Sequence, residues 1–224
     1  RMKYEPLNLG RWILWSATAL LFLAAPHVFQ GGFALTMLTQ MGTLIIFALS
    51  YNMLLGQGGM LSFGHAVYSG LGAYATVHVL NFIGKGQIYI PVPLLPLVGG
   101  LAGIAFGVLF GYVTTRRAGT TFALISLGIG EMVFACVLMF PDFFGGEAGV
   151  STNRVVGQPF LGLSFGPALQ VYYLVALWCF LCMAAMFALT HTPLGRMANA
   201  VRDNPERAEF VGYDTRQVRF RQLV

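Results

Sequence analysis

What constrains this chain most is where charge is missing. No Asp, Glu, Lys or Arg occurs in residues 12–84, 86–115 or 155–195. A soluble fold cannot wet such stretches: its surface normally brings charged residues to about 25% of the chain. Here only 9% of residues are charged and 57% are hydrophobic. A bilayer hides such segments, because about 20 mostly apolar residues in a helix cross about 30 Å of hydrocarbon. The chain therefore reads as an integral membrane protein.

The apolar runs predict an all-α, polytopic bundle of about six spans, at residues 12–29, 33–55, 65–82, 93–113, 122–140 and 169–189, with a further one beginning near Leu223. The basic N-terminus ahead of Trp12 has the look of a signal peptide. The apolar chain resumes after a few polar residues, however, and no small-x-small cleavage site stands out, so the run reads as a first span. Arg1 in place of Met and an ending at Leu223-Val224 are expected of a piece of a longer chain. Residues 1–224 then form one transmembrane domain truncated at its C-terminal side, with a cytoplasmic loop over 190–222. Putting the N-terminus in the cytoplasm places all but Lys85 and Arg154 of the 13 Lys and Arg on the cytoplasmic side. That bias is the one that orients membrane proteins.

Several residues stand out within this frame. Gly99, Gly103, Gly107 and Gly111 recur every four positions, a stripe that lets another helix approach closely in lipid. Residues 56–65 join two spans with four glycines and no charge, and read either as a broken or re-entrant helix or as a tight interfacial turn in which Ser62 caps the next helix. Gln57, Ser62 and His65 are its candidate translocation-path groups. Glu131 is the one charged residue well inside a span, where a carboxylate costs on the order of 3 kcal/mol and needs a partner, a proton or water. It is a candidate for the translocation path or a subunit contact; the bland reading is a protonated Glu in an ordinary interhelical hydrogen bond. In the last loop, Asn204 suits an N-cap, Pro205 the first helical position, Glu206 the positive end of the helix dipole and Gly212 the position past the end. A short helix is expected there, and by itself it reads equally well as a solvated connector.

Other chemistry is not signalled. Cys179 and Cys182 form a C-x-x-C pair inside an apolar helical run, where a lipid-facing or packing role is expected. His27, His65, His78 and His191 show no metal-ligand spacing. No G-x-x-x-x-G-K-[ST] motif occurs, so any ATP-driven role requires a separate ATPase chain. No span pairs a nucleophile with a base, no bound cofactor is expected of this chain, and neither is a nucleic-acid partner.

The segment Tyr51-Asn52-Met53-Leu54-Leu55-Gly56-Gln57-Gly58-Gly59-Met60-Leu61-Ser62-Phe63-Gly64-His65-Ala66, followed by Gly72-Ala73-Tyr74, closely resembles a signature of branched-chain amino-acid ABC transporter permeases, the M-type subunit in particular. Residues 121–131, ending at Gly130-Glu131, are similar to the family's fifth-span pattern, and Gly145-Gly146-Glu147-Ala148-Gly149-Val150 to its following external loop. Thr192-Pro193-Leu194-Gly195-Arg196, with residues 200–204 and 208–212, resembles its cytoplasmic coupling loop. The resemblance implies a non-catalytic permease in the bacterial inner membrane. It would work with two ATP-binding subunits, a second related permease subunit and a periplasmic amino-acid-binding protein. The resemblance also implies that Arg202, Asp203, Asn204, Pro205, Glu206, Arg207 and Gly212 belong to the part that docks on the ATPase. Urea and short-amide importers share these signatures. Two readings of another class remain beside it: a gradient-driven carrier using Glu131 as its coupling carboxylate, and a non-transporting membrane scaffold.

Overall fold

The computed structural model describes residues 9–155 and 163–224. Arg1 and Lys3, counted above on the cytoplasmic side, lie outside the described residues. The apolar runs form α1 (Leu9–Val28), α2 (Gly32–Asn52), α3 (His65–Gly84), α4 (Leu95–Thr114) and α5 (Thr120–Met139). A single turn, α6 (Pro141–Phe144), and then α7 (Ala168–His191) follow. Three short helices close the chain: α8 (Pro193–Asp203), α9 (Pro205–Phe210) and α10 (Thr215–Leu223).

Among the described residues, four helices are long and apolar enough to cross a membrane: α2 with its extension to Gln57, α4 with its lead-in from Val92, α5 and α7. The other two predicted spans, α1 and α3, are helices of 20 residues, about 30 Å at 1.5 Å per residue. Arg11 and His27 in α1, and His65, His78 and Asn81 in α3, dilute their apolarity. The expected six spans thus resolve into four strongly apolar helices and two of span length but mixed polarity. Within the four, only 6 to 17% of the most apolar window is buried inside the chain. The rest of that surface is suited to lipid or to another subunit.

Packing follows small residues. Helix α3 lies on α4 and α2 on α7. A Cβ on Gly99 would sit 2.7 Å from Thr76 Oγ1, and one on Gly72 would sit 2.8 Å from the Gly99 carbonyl, so α3 and α4 meet backbone to backbone. Further along the stripe, Gly103 faces the Tyr68 carbonyl, while Gly107 and Gly111 face Val224, Leu223 and Phe220 at the end of α10. The predicted glycine stripe thus serves two neighbours, a spanning helix and a short terminal one. Tyr172 Oη donates to the Phe22 carbonyl at 2.8 Å and Trp178 Nε1 to the Pro93 carbonyl at 3.2 Å, which ties α7 to α1 and to the start of α4. Cys179, also on α7, is fully buried and its thiol is free.

The basic clusters gather at one end of the bundle. Arg11 lies over the Phe187 ring at 5.3 Å, which places the start of α1 beside the end of α7. Arg116, just past α4, and Arg216, on α10, lie over the Tyr112 ring at 4.4 and 5.5 Å. The α4–α5 turn and the three terminal helices are therefore on the same side.

Candidate translocation and coupling site

Helix α2 does not stop cleanly. Its last residues widen into a π-helical turn over Met53–Gln57, a geometry that shifts carbonyls out of the regular ladder and recurs at functional sites. The chain then folds back: Gly59 N donates to the Leu55 carbonyl at 2.9 Å and Met60 N to the Leu54 carbonyl at 3.1 Å. Met60, Leu54 and Phe122 form a buried cluster with Leu223 packed against it, which draws the turn down onto α5. Phe63 N donates to Ser126 Oγ at 3.0 Å, and Gly64 approaches the Ser126 carbonyl so closely that a Cβ would collide with it. The link between α2 and α3 takes the form of a π turn followed by an irregular crossing. Ser62 does not cap α3. Gly64 holds the cap position without a side-chain bond, and Ser62 is buried with its hydroxyl unpaired in the chain.

The terminal helices form a small unit of their own. Asn204 caps α9 by accepting from Arg207 N at 2.9 Å, Pro205 and Glu206 open the helix, and Gly212 follows it with φ +95°. This is the arrangement the sequence predicts. Asp214 caps α10 by accepting from Arg216 N and Gln217 N at 2.9 and 3.1 Å, and Thr215 Oγ1 donates to Glu209 Oε1 at 2.7 Å. Val201, Ala208 and Val218, with Met197 beside them, bury a common core between α8, α9 and α10. Phe210 and Val211, by contrast, point away at 92% and 70% exposure. Arg202 pairs with Asp203 at 2.9 Å on the surface.

The two regions meet through side chains that reach the π turn. Arg202 Nη1 donates to the Gly56 carbonyl, and Gln222 Nε2 donates to the Met53 carbonyl at 2.7 Å. Both acceptors lie in the π turn, so groups from α8 and α10 satisfy carbonyls there. The glycines explain why the approach is possible. A Cβ on Gly59 (φ +64°) would stand 2.6 Å from Arg202 Cγ, and one on Gly58 would collide with the Gln222 amide.

Beside this joint is a cavity of about 410 Å³, lined by Ser50, Gln57, His65, Met186, Ala198 and Gln222 among others. His65 Nε2 and Ser50 Oγ are 2.8 Å apart, and Ser50 Oγ also reaches the Phe47 carbonyl at 2.8 Å. The Ser50 proton goes to that carbonyl, so Ser50 accepts from His65 Nε2–H. His65 Nδ1 is left buried and unpaired as an acceptor. Phe47 and Tyr51 pack against the ring, with centroids at 5.1 and 5.4 Å.

Of the predicted path residues, Gln57 and His65 share this cavity, while Ser62 is buried within the crossing segment and does not line it. Glu131 is elsewhere. It projects from the middle of α5 on an exposed face with Gly128 and Ala135, and makes no hydrogen bond or ion pair with the described residues. Sequence reasoning missed Gln222, Ser50 and Ser126. The glycines signal a close approach in this region, but nothing along the chain says which side chain makes it.

A bundle of helices long and apolar enough to span, with short helices on its basic side fastened to the end of one of them, defines a polytopic membrane protein. A family model described as "Branched-chain amino acid transport system / permease component" matches residues 33–223. The chain belongs to this family. Among curated proteins it is 28% identical to the high-affinity branched-chain amino acid transport system permease protein LivM of Escherichia coli K12, over 78% of this chain and 45% of that protein. It is 26% identical to the Salmonella typhimurium LivM, with the same coverage. To a probable LivM of Methanocaldococcus jannaschii it is 24% identical, over 81% of this chain and 60% of that one. The chain thus spans about half the length of the curated relatives it matches. No solved structure matches it.

Proposed function

We propose that this chain is part of the pore-forming permease subunit of an ATP-driven importer for branched-chain amino acids, in the bacterial inner membrane. The substrate class follows from the family and from the names of the relatives. The observation that carries the mechanism is the double fastening of the π turn by Arg202 and Gln222. A partner ATPase that seats α9, with Phe210 and Val211 as its exposed apolar tip, would move α8–α10 as one unit. That motion would pull on the Gly56 and Met53 carbonyls and so on the walls of the His65 cavity. ATP hydrolysis belongs to the partner, and a binding protein on the opposite side supplies substrate.

Glu131 supports the second permease subunit. A carboxylate near mid-span, flanked by small residues on an unpartnered face, is best satisfied by a donor from a neighbouring subunit's helix.

The test uses the full-length protein with its ATPase chain. Phe210→Asp is expected to abolish co-purification of the ATPase. Uptake by the wild type is expected to survive dissipation of the ion gradients and to stop when ATP is depleted. ATPase association that withstands Phe210→Asp would remove the docking assignment, and uptake that follows the gradient would replace the importer with a gradient-driven carrier.

A further inference from the structure

The transport reading makes no use of the group around Tyr112. This residue is in the last turn of α4 and is 55% exposed, and the Arg116 and Arg216 guanidinium groups lie 4.4 and 5.5 Å from its ring centroid. The ring face attracts each cation, but two like charges on one exposed ring repel each other. Among the described residues the only ion pair is Arg202–Asp203, so neither arginine is ion-paired with a described carboxylate. Next to them is a concavity of about 410 Å³ lined by Tyr112, Thr115, Arg216, Gln217, Phe220 and Arg221. Asp214 also borders it, with Oδ1 engaged by the Arg216 and Gln217 amides as the α10 cap. Thr115 Oγ1 has already given its proton to the Gly111 carbonyl at 2.7 Å. Gln217 accepts from Arg221 Nη2 at 3.4 Å through its carbonyl oxygen, which leaves its amide N–H groups as donors.

A second observation gives the ligand its shape. Leu101, Ile104, Val108 and Tyr112 lie at helical spacing on one exposed face of α4, with Leu109 beside them at 61% exposure. The glycine stripe occupies another face of the same helix, against α3 and α10. An apolar track therefore runs along α4 from Leu101 to Tyr112 and ends at the arginines. A free anion would use only the end of that track. A molecule with an acyl chain and an anionic head would use all of it.

We propose that this is a binding site for an anionic phospholipid of the leaflet on the basic side. The phosphodiester lies between the Arg116 and Arg216 guanidinium groups, the Gln217 amide donates to it, and an acyl chain lies along Leu101–Tyr112. Guanidinium groups suit the task because their planar forks bind phosphate oxygens two at a time. The lipid bridges α4 and α10, and through α10 it steadies the helix that carries Gln222. The site does not depend on what the protein transports.

The experiment is native mass spectrometry of the full-length protein titrated with phosphatidylglycerol or phosphatidylcholine. Wild type is expected to prefer phosphatidylglycerol. Each arginine near an anionic headgroup contributes about fivefold, so Arg116→Gln/Arg216→Gln is expected to lower phosphatidylglycerol affinity about 25-fold. Lys85→Gln, at the other end of the bundle, is expected to leave it unchanged, and millimolar inorganic phosphate is expected not to displace the lipid. If the double variant does not fold, Arg216→Gln alone reads the same effect at about fivefold. Phosphatidylglycerol binding that is unchanged in the arginine variants, or lost equally in Lys85→Gln, overturns the site. Displacement by inorganic phosphate overturns the lipid as its occupant.

Discussion

The joint between the terminal helices and the broken span makes a prediction whose size follows from its geometry. Arg202→Met keeps an aliphatic stem against Gly59 but removes the guanidinium that serves the Gly56 carbonyl. A hydrogen bond from a charged group contributes about 1.5–3 kcal/mol, and the partial exposure of Arg202 puts it at the low end. Gln222→Leu removes a neutral bond to the part-buried Met53 carbonyl, a loss of about 1–1.5 kcal/mol. Each variant should therefore make local opening of the π turn about tenfold more frequent, since 1.4 kcal/mol is a factor of ten. The reporters are the Gly59 and Met60 amides, which close the turn onto the Leu55 and Leu54 carbonyls. Hydrogen exchange of the full-length protein should show both amides losing about tenfold protection in each single variant. Because the two side chains hold one turn, the double variant should lose less than the sum, with a coupling of about 0.5 kcal/mol or more. Unchanged protection in either single variant, or strict additivity, would refute a shared joint.

Three further outcomes follow from close contacts and from Glu131. Gly99→Ala is expected to destabilise the α3–α4 pair by about 1–3 kcal/mol, because its Cβ would press on Thr76 Oγ1, whereas Gly100→Ala, with nothing within 4 Å, is expected to be neutral in a thermal melt. Gly64→Ala is expected to lower the melting temperature through the Ser126 carbonyl and to loosen the Phe63–Ser126 bond, read as faster exchange of the Phe63 amide. Glu131→Gln keeps an acceptor oxygen for the neighbouring subunit's donor but removes the charge, and is expected to lower uptake while leaving assembly intact; uptake at the wild-type rate would remove any functional role for the carboxylate.

Much of the fold was legible because lipid imposes an unusually simple rule on sequence. An element exposed to hydrocarbon must be helical, apolar and long enough, so runs predicted at 33–55, 93–113, 122–140 and 169–189 reappear as α2 with its π turn, α4, α5 and α7. The cap of α9 was legible for a similar reason, since Asn204, Pro205 and Gly212 each meet a local backbone requirement. The joint was not. Arg202 and Gln222 reach carbonyls 146 and 169 positions away, and a carbonyl looks the same whatever residue bears it. The loop at 190–222 likewise shows one obvious helix signal but folds as three helices, because α8 and α10 are held by the shared core of Val201, Ala208 and Val218 and not by local signals alone. Glu131 was conspicuous as a residue, but the direction it faces on α5 depends on which side of that helix the other spans cover.

The central claim is that the uncharged tracts lie in lipid and the basic residues share one side of the membrane. Arg117→Cys, Arg207→Cys and Lys85→Cys, placed singly in the full-length protein, test it with a membrane-impermeant maleimide applied to intact cells and to inverted vesicles. Labelling of Lys85→Cys only from outside, with Arg117→Cys and Arg207→Cys reached only from the cytoplasmic face, is the result predicted. Labelling of Arg117→Cys and Arg207→Cys from opposite faces would contradict it.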